Sequence, residues 1–325
     1  MNENATPIPV TIVTGFLGAG KTTFLNGLLK KHPKSKFLII ENEAGNINID
    51  GMLLEKNDNN VIELTDGCIC CSLNAELGTL LNSLILAGAK YDYLIIEATG
   101  MADPSEVIQL FMGNRAQQYF RLDAVVALVD AGLFLSQFTK YEEIRRQLAQ
   151  SDIILINKTD LATEADIKKI TGKIKTLNPF ARLFETKFGE TPDINILDSW
   201  SYQPGKIEKS IIDFSSFKPV ASNTKKRHGI STFGFTIEGN LNAKRFSFWL
   251  EDFLFTNSDK ILRIKGVLSI HDMKQKIILQ SVSGNFQVLN GSAWSEPEAR
   301  KSRMVFIGTG IDEVALEEAL QALTV

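Results

Sequence analysis

Short, almost wholly apolar runs alternate along the chain with stretches of helical spacing. The runs at 8–13, 37–41, 61–64, 93–96, 124–129 and 153–156 are four to six residues long. A strand with one wet face would alternate polar and apolar positions, so these runs read as strands buried on both faces. Apolar residues recur at three- and four-residue spacing after residue 21 to about 32, and at 74–87, 141–150 and 164–177, which predicts helices. Strands that alternate with helices call for a parallel sheet covered on both sides. The first domain is therefore expected to be α/β, with a doubly wound, mostly parallel sheet.

From 203 to 227 the pattern loosens into Pro, Gly, Ser, Lys and Asn, which reads as a linker. Beyond it, 230–237 alternates as a strand and 243–254 has helical spacing. Strands follow at 260–269, 276–281, 285–289 and 304–307, and a helix at 313–323. Strands gathered between two helices predict a smaller α+β domain with a largely antiparallel sheet. The expected division is 1–202, a linker at 203–227, and 228–325.

Composition narrows the function classes. With 325 residues, 44% hydrophobic and 22% charged, the chain has length for two domains with sizeable cores. A net charge of −3 argues against a broad nucleic-acid-binding face. The basic run Lys225-Lys226-Arg227 sits in the polar linker and reads as solvated. The first residues, MNENATPIP, lack a basic start and an apolar core, and no segment reaches the ~18 apolar residues of a membrane span. A cytoplasmic location, without a membrane or nucleic-acid partner, is expected.

Gly15-Phe16-Leu17-Gly18-Ala19-Gly20-Lys21-Thr22 satisfies G-x-x-x-x-G-K-[ST], with an apolar run before it and helical spacing after it. Glycines let the backbone bend around phosphate oxygens with no Cβ in the way. Lys21 would reach the β- and γ-phosphates, and the Thr22 hydroxyl, followed by Thr23, would hold Mg²⁺. The helix N-terminus adds a favourable dipole. Phe16 and Leu17 read as packing residues.

Further along, Asn157-Lys158-Thr159-Asp160 places N-K-x-D at a strand end behind the phosphate loop. A carboxylate at Asp160 can accept from N1–H and the exocyclic amine of guanine together, a donor pair that adenine lacks. Asn157 would add amide hydrogen bonds, and the stem of Lys158 would pack on the base. The nucleotide is therefore expected to be GTP or GDP.

Two other strands end on acids, Glu41 and Glu97, where open α/β sheets bind ligands. All three cysteines, Cys68, Cys70 and Cys71, fall between them. Thiols this crowded make poor structural disulfides and favour metal binding or redox chemistry. A redox C-x-C pair lacks a thioredoxin-like βαβ setting here. Three thiolates can grip Zn²⁺ and leave a fourth position for Glu41, water or a client residue. Elsewhere, Asp103-Pro104 reads as a helix start, Trp200, Trp249 and Trp294 as core or domain-edge aromatics, and 300–303 as a solvated approach to a strand.

Together these pieces resemble the CobW-like family of P-loop GTPases, relatives of the urease and hydrogenase nickel-insertion GTPases. The likeness rests on G-F-L-G-A-G-K-T-T, on E-N-E-x-G from Glu41, on G-C-I-C-C from Gly67, on E-x-T-G-x-A-D-P from Glu97 and on N-K-T-D from Asn157. It extends into the second domain through Leu262-Arg263-Ile264-Lys265-Gly266 and Val305-Phe306-Ile307-Gly308. The resemblance implies a GTP hydrolase, with Mg²⁺ on the nucleotide, that binds or delivers Zn²⁺ (or Co²⁺/Ni²⁺) to a client metalloprotein. Cys68, Cys70 and Cys71 carry over as metal ligands, Glu41 as an oxygen ligand or switch residue, and Glu97 as the acid of the second switch. Gly100 joins the nucleotide-binding residues.

Position 44 is Ala where that family usually has an aromatic, and position 98 is Ala where a polar residue or Cys is common. The chain has three histidines, His32, His228 and His271, so a His-rich metal store is not expected. The pattern leaves room for a homo-oligomer, for a metal sensor or buffer that binds nucleotide only to set affinity, and for a kinase with a metal knuckle. The kinase reading is disfavoured because no Arg-rich insertion lies between the strands. No arginine finger is evident either, so slow unaided turnover is expected. Replacing all three cysteines by serine should weaken Zn²⁺ binding by about two orders of magnitude or more, measured by competition with a chromophoric chelator. Unchanged affinity would remove the cysteines as ligands.

Overall fold

A computed structural model describes residues 6–42, 60–64, 73–86, 91–188, 190, 195–214, 229–296 and 298–325. The chain forms two compact units, Met1–Ile174 with Ala181–Trp200, and Lys175–Phe180 with Ser201–Val325. The first unit holds β1 (Ile8–Gly15), β2 (Phe37–Asn42), β3 (Asn60–Leu64), β4 (Tyr93–Glu97), β5 (Phe120–Asp130), β6 (Ile153–Asn157) and β7 (Arg182–Glu185). All seven pair in parallel, in the order β3-β2-β4-β1-β5-β6-β7.

The apolar runs are buried on both faces, as a parallel sheet requires. Along β5, Val126 and Leu128 join Val13, Phe24, Leu25 and Leu28 in one cluster, which brings in the helix Lys21–Lys31. The alternate residues Ala127 and Val129 lie with Phe134, Ile144 and Leu148 of the helices Phe134–Lys140 and Glu142–Gln150. Register then aligns the strand ends. Glu41 stands opposite Glu97, Glu97 opposite Val13, Gly15 opposite Leu128 and Asp130 opposite Asn157. The chain turns one way from β1 to β2 and the other way from β4 across to β5, so the crevice for a ligand opens beside β1.

β5 begins at Phe120, well before its apolar run, because a charge is buried inside it. Asp123 is fully buried and accepts from Arg121 Nη1 at 2.6 Å, from Ser199 N at 2.7 Å and from Trp200 N at 2.9 Å. Arg121 also donates to Asp198 at 2.8 Å and stacks 3.5 Å from the Trp200 ring centre. β7, RLFE, is a half-exposed edge strand with no apolar run to betray it. The helix Ser105–Met112 follows the start expected at Asp103-Pro104, whereas the helix Phe134–Lys140 was not expected from the hydrophobic pattern.

The second unit holds β8 (Ile230–Glu238), β9 (Ile261–Leu268), β10 (Gln275–Val282), β11 (Asn285–Ala293) and β12 (Lys301–Thr309), all antiparallel in the order β11-β10-β9-β12-β8. The helices Ala243–Thr256 and Glu313–Gln321, capped by Asn242 and Asp312, bury Phe246, Leu250, Leu316 and Leu320 on one face. On the other face lies the helix Pro204–Phe214, inside the stretch expected as a linker. Its Ile207 and Ile211, one turn apart, pack on Val267, Ile278 and Val305, and Glu208 accepts from Lys276 at 2.7 Å. Those contacts help order a segment whose composition looks loose. Arg300 is an exposed approach as expected, but 301–303 are not: β12 starts at Lys301, and fully buried Ser302 accepts from Ser269 N at 2.9 Å. Among the described residues, no helix is long and apolar enough to cross a membrane.

Tyr93 donates its hydroxyl to Asp198 at 2.8 Å. Burial first, then that hydrogen bond and the charges of Asp198, Asp92 and Asp123, push its pKa from 10.0 up to about 12. The folded state therefore keeps a proton that the unfolded chain releases. Stability should fall as pH rises from 10.0 to about 12. Tyr93→Phe should remove that component and cost about 1 kcal/mol below pH ~9, read from urea unfolding at both pH values.

Candidate functional site

β1 ends on Gly15, and the loop that follows is shaped by left-handed backbone at Gly15 (φ 143), Gly18 (φ 77) and Gly20 (φ 99). Glycine is required twice over at two of these positions. A Cβ on Gly15 would lie 2.4 Å from Leu128 O, and one on Gly20 would lie 2.5 Å from Asn157 Nδ2. The helix Lys21–Lys31 starts directly behind, with Lys21, Thr22 and Thr23 in its first turn. Gly20 caps it without a side-chain hydrogen bond, and no acid sits in that first turn. The positive end of the helix is thus left for an anion. Buried Lys21 donates to Gly15 O at 3.2 Å and lies 3.8 Å from Glu97 Oε1.

The N-K-x-D segment is bonded to this loop. Asn157, at the end of β6, donates Nδ2 to Ala19 O at 2.9 Å, while its Oδ1 accepts from Thr186 Oγ1 at 3.2 Å. Lys158 takes a left-handed backbone (φ 58) and donates to Gly18 O at 2.6 Å and to Asp130 Oδ2 at 2.8 Å. Both side chains thereby pin the phosphate loop, in addition to the base contacts expected from the sequence. Asp160 is exposed on the 3-10 turn Thr159–Leu161. Its carboxylate is available to a partner arriving from solvent.

Glu41 and Glu97 are buried at neighbouring strand ends. Thr22, in the first turn of the helix behind the phosphate loop, has the hydroxyl oxygen that suits a nucleotide-bound Mg²⁺. Gly100 follows β4, and a Cβ there would meet Leu17 N at 2.8 Å. Leu17 itself is 59% exposed and is no core residue, whereas Phe16 meets the Tyr141 ring at 4.7 Å. Ala98 is buried, with its N–H on Val13 O at 2.8 Å. Cys68, Cys70, Cys71, Ala44 and His228 lie outside the described residues.

Two participants were missed in the sequence. Asp130 had a signal, since it ends a strand as Glu41 and Glu97 do. Its Oδ1 accepts from Gly132 N at 2.9 Å and Leu133 N at 3.3 Å, which leaves Oδ2 for Lys158. Thr186 had none, because only the fold brings it to the site.

Residues 9–185 match the family described as CobW/HypB/UreG, nucleotide-binding domain, and residues 230–324 match the cobalamin synthesis protein cobW C-terminal domain. The zinc chaperone YjiA of Escherichia coli (strain K12) is 33% identical over 98% of this chain and 99% of its own. Zinc-regulated GTPase metalloprotein activator 1 of Dictyostelium discoideum is 28% identical over 88% of this chain and 68% of its own. The crystal structure of Zn(II)-bound YjiA GTPase from E. coli superposes with a TM-score of 0.73 at 27% identity, covering 99% of this chain and 100% of that one.

Asp130→Ala would strip both Lys158 and the Gly132 N–H of an acceptor and should cost about 1–3 kcal/mol in urea unfolding. Asp130→Asn keeps an acceptor oxygen and should cost less than half as much. Equal losses would show that the carboxylate's hydrogen bonds are not what it contributes.

Proposed function

The chain belongs to the CobW/HypB/UreG nucleotide-binding family, and from that premise we propose that it is a GTPase that uses hydrolysis to control transfer of a bound transition-metal ion, zinc foremost, to a client metalloprotein. The observation that carries this reading is the pair of side-chain bonds from Asn157 and Lys158 to the carbonyls of Ala19 and Gly18. A loop suited to guanine and a loop suited to phosphates are thereby joined into one unit, so a single ligand carrying both groups fits it.

Lys21 exchanges Gly15 O for phosphate oxygens and neutralises charge that develops as water attacks the γ-phosphate in line. Glu97, beside Lys21, orients that water. Bound magnesium supplies further neutralisation of the phosphate charge. Asp160 selects guanine through its paired donors, and Asn157 and Lys158 keep the phosphate loop in register with that selection. Zinc is cargo in this scheme, held by Cys68, Cys70 and Cys71 with Glu41 as an oxygen ligand. Support for zinc comes from relatives named as zinc chaperones, whereas cobalt and nickel rest on the family resemblance alone. The cysteines lie in sequence between Glu41 and Glu97, so a change of nucleotide state at those acids is felt at the metal. The protein acts in the cytoplasm, and its client or a second copy of the chain supplies whatever stimulation its slow turnover needs.

Purified protein should hydrolyse GTP at least ~10²-fold more efficiently than ATP, because a site built for a substrate's donors rejects the analogue lacking them. Asp160→Ala should remove most of that preference, and Zn²⁺ should change the GTP rate in the wild type. No hydrolysis under any metal or client condition overturns the GTPase reading.

A further inference from the structure

The turn between Glu97 and the helix Ser105–Met112 lies against the phosphate loop on one side, where Gly100 meets Leu17. On its other side it is held by the helix Glu142–Gln150 through a set of side chains that the nucleotide site itself does not use. Gln147 is 1% exposed, and its Nε2 donates to Gly100 O and to Ala102 O, both at 3.1 Å. Gln150 donates to Asp103 Oδ1 at 2.8 Å, and Arg146 donates to Asp103 Oδ2 at 3.2 Å. Asp103 Oδ1 also accepts from Ser105 N at 2.9 Å, as a helix-starting Asp should. Burial alone would raise the Asp103 carboxyl, yet these hydrogen bonds and the Arg146 charge hold it below its ordinary 3.8, so the clamp is ionised at neutral pH.

A buried amide is costly unless its hydrogen bonds are made, and an apolar side chain would suit a position between Ile144 and Leu148 on a core-facing helix. Gln147 satisfies both of its N–H groups on one turn, two residues apart, and that turn is the one in contact with the phosphate loop. The same helix begins beside Tyr141, whose ring meets Phe16 of the phosphate loop. Phosphate loop, turn and helix therefore share one junction, in which the turn is the middle piece.

We infer that Gln147 is a positioning residue for hydrolysis: its two hydrogen bonds hold the Gly100 to Ala102 turn against the phosphate loop, where the turn meets a γ-phosphate. This rests on the GTPase reading above. Gln147 acts through the turn and does not touch the nucleotide. GDP, which ends at the β-phosphate, does not need the turn in place, whereas GTP and its transition state do. Loss of Gln147 thus separates the two nucleotides, while a purely structural glutamine would weaken both alike.

The test uses the full chain with Gln147→Met, of similar length and without donors, and Gln147→Glu, which sets carboxylate oxygens against the two carbonyls. Titrations with fluorescent GDP and a non-hydrolysable GTP analogue are paired with steady-state GTP turnover and thermal melts. Both variants should lower kcat about tenfold or more, since small misplacements near a reacting centre cost that much. They should weaken the GTP analogue severalfold and leave GDP within about twofold of wild type. If neither variant folds, Gln147→Asn, which keeps an amide too short to reach both carbonyls, should give the same split. An unchanged ratio of GTP-analogue to GDP affinity, or kcat within about twofold of wild type, overturns the inference while leaving the GTPase reading intact. Wild type that binds GTP no better than ATP and hydrolyses neither overturns the GTPase reading, and the inference falls with it.

Discussion

The candidate site depends on the hydrogen bonds that run from the end of β6 to the phosphate loop. Three glycines hold that loop in backbone conformations that other residues resist, and a loop so shaped makes few bonds of its own. The carbonyls of Gly18 and Ala19 accept from Lys158 and Asn157, so the loop borrows its rigidity from a strand end. The borrowing works only because β1, β5 and β6 are adjacent and parallel. Adjacency brings the two loops to one edge, and the middle strand contributes Asp130, which orients Lys158. The close approach leaves no room for a Cβ at Gly20, and the requirement for glycine there comes from Asn157 as much as from any ligand.

Buried polar groups gather at both ends of the parallel sheet, and they differ in what they leave available. At the amino end, Asp123 spends its carboxylate on Arg121 and on two backbone N–H groups, and Tyr93 and Asp198 complete the set. Its partners are all internal, which suits a clamp that closes the fold. At the carboxyl end, the helix Lys21–Lys31 starts without a side-chain cap or an acid in its first turn, and Asp160 is exposed. A helix end of this kind suits an anionic ligand. The second unit uses the closed solution again, with Lys276 buried between Glu208 and Glu298 at 2.7 and 2.9 Å.

Much of the fold was legible because strands buried on two faces must be apolar throughout. The runs ending at Val13, Ile96, Val129 and Ile156 could be found without any partner being known. What broke the pattern also hid the element. The start of β5 was hidden by Asp123, whose charge is matched by Arg121 two residues earlier and whose backbone donors, Ser199 and Trp200, lie more than seventy positions away. The edge strand Arg182–Glu185 was hidden by its exposure, and the helix Pro204–Phe214 by its polar composition. In each case a stabilising partner is distant in sequence, so local periodicity carries no trace of it.

The candidate site divides in the same way. Residue type and spacing alone determined the phosphate loop, the exposed Asp160 of N-K-x-D proposed to read guanine, and the acidic strand ends, because glycine, lysine and carboxylate chemistry at those intervals has few other uses. Tertiary structure decided that Asn157 and Lys158 serve the phosphate loop, that Asp130 orients Lys158, and that Gln147 holds the turn after Glu97. Those roles rest on which strands are neighbours and which helix backs the turn. A linear chain cannot display that, because the partners are brought together by burial of apolar surface and carry no mark of one another.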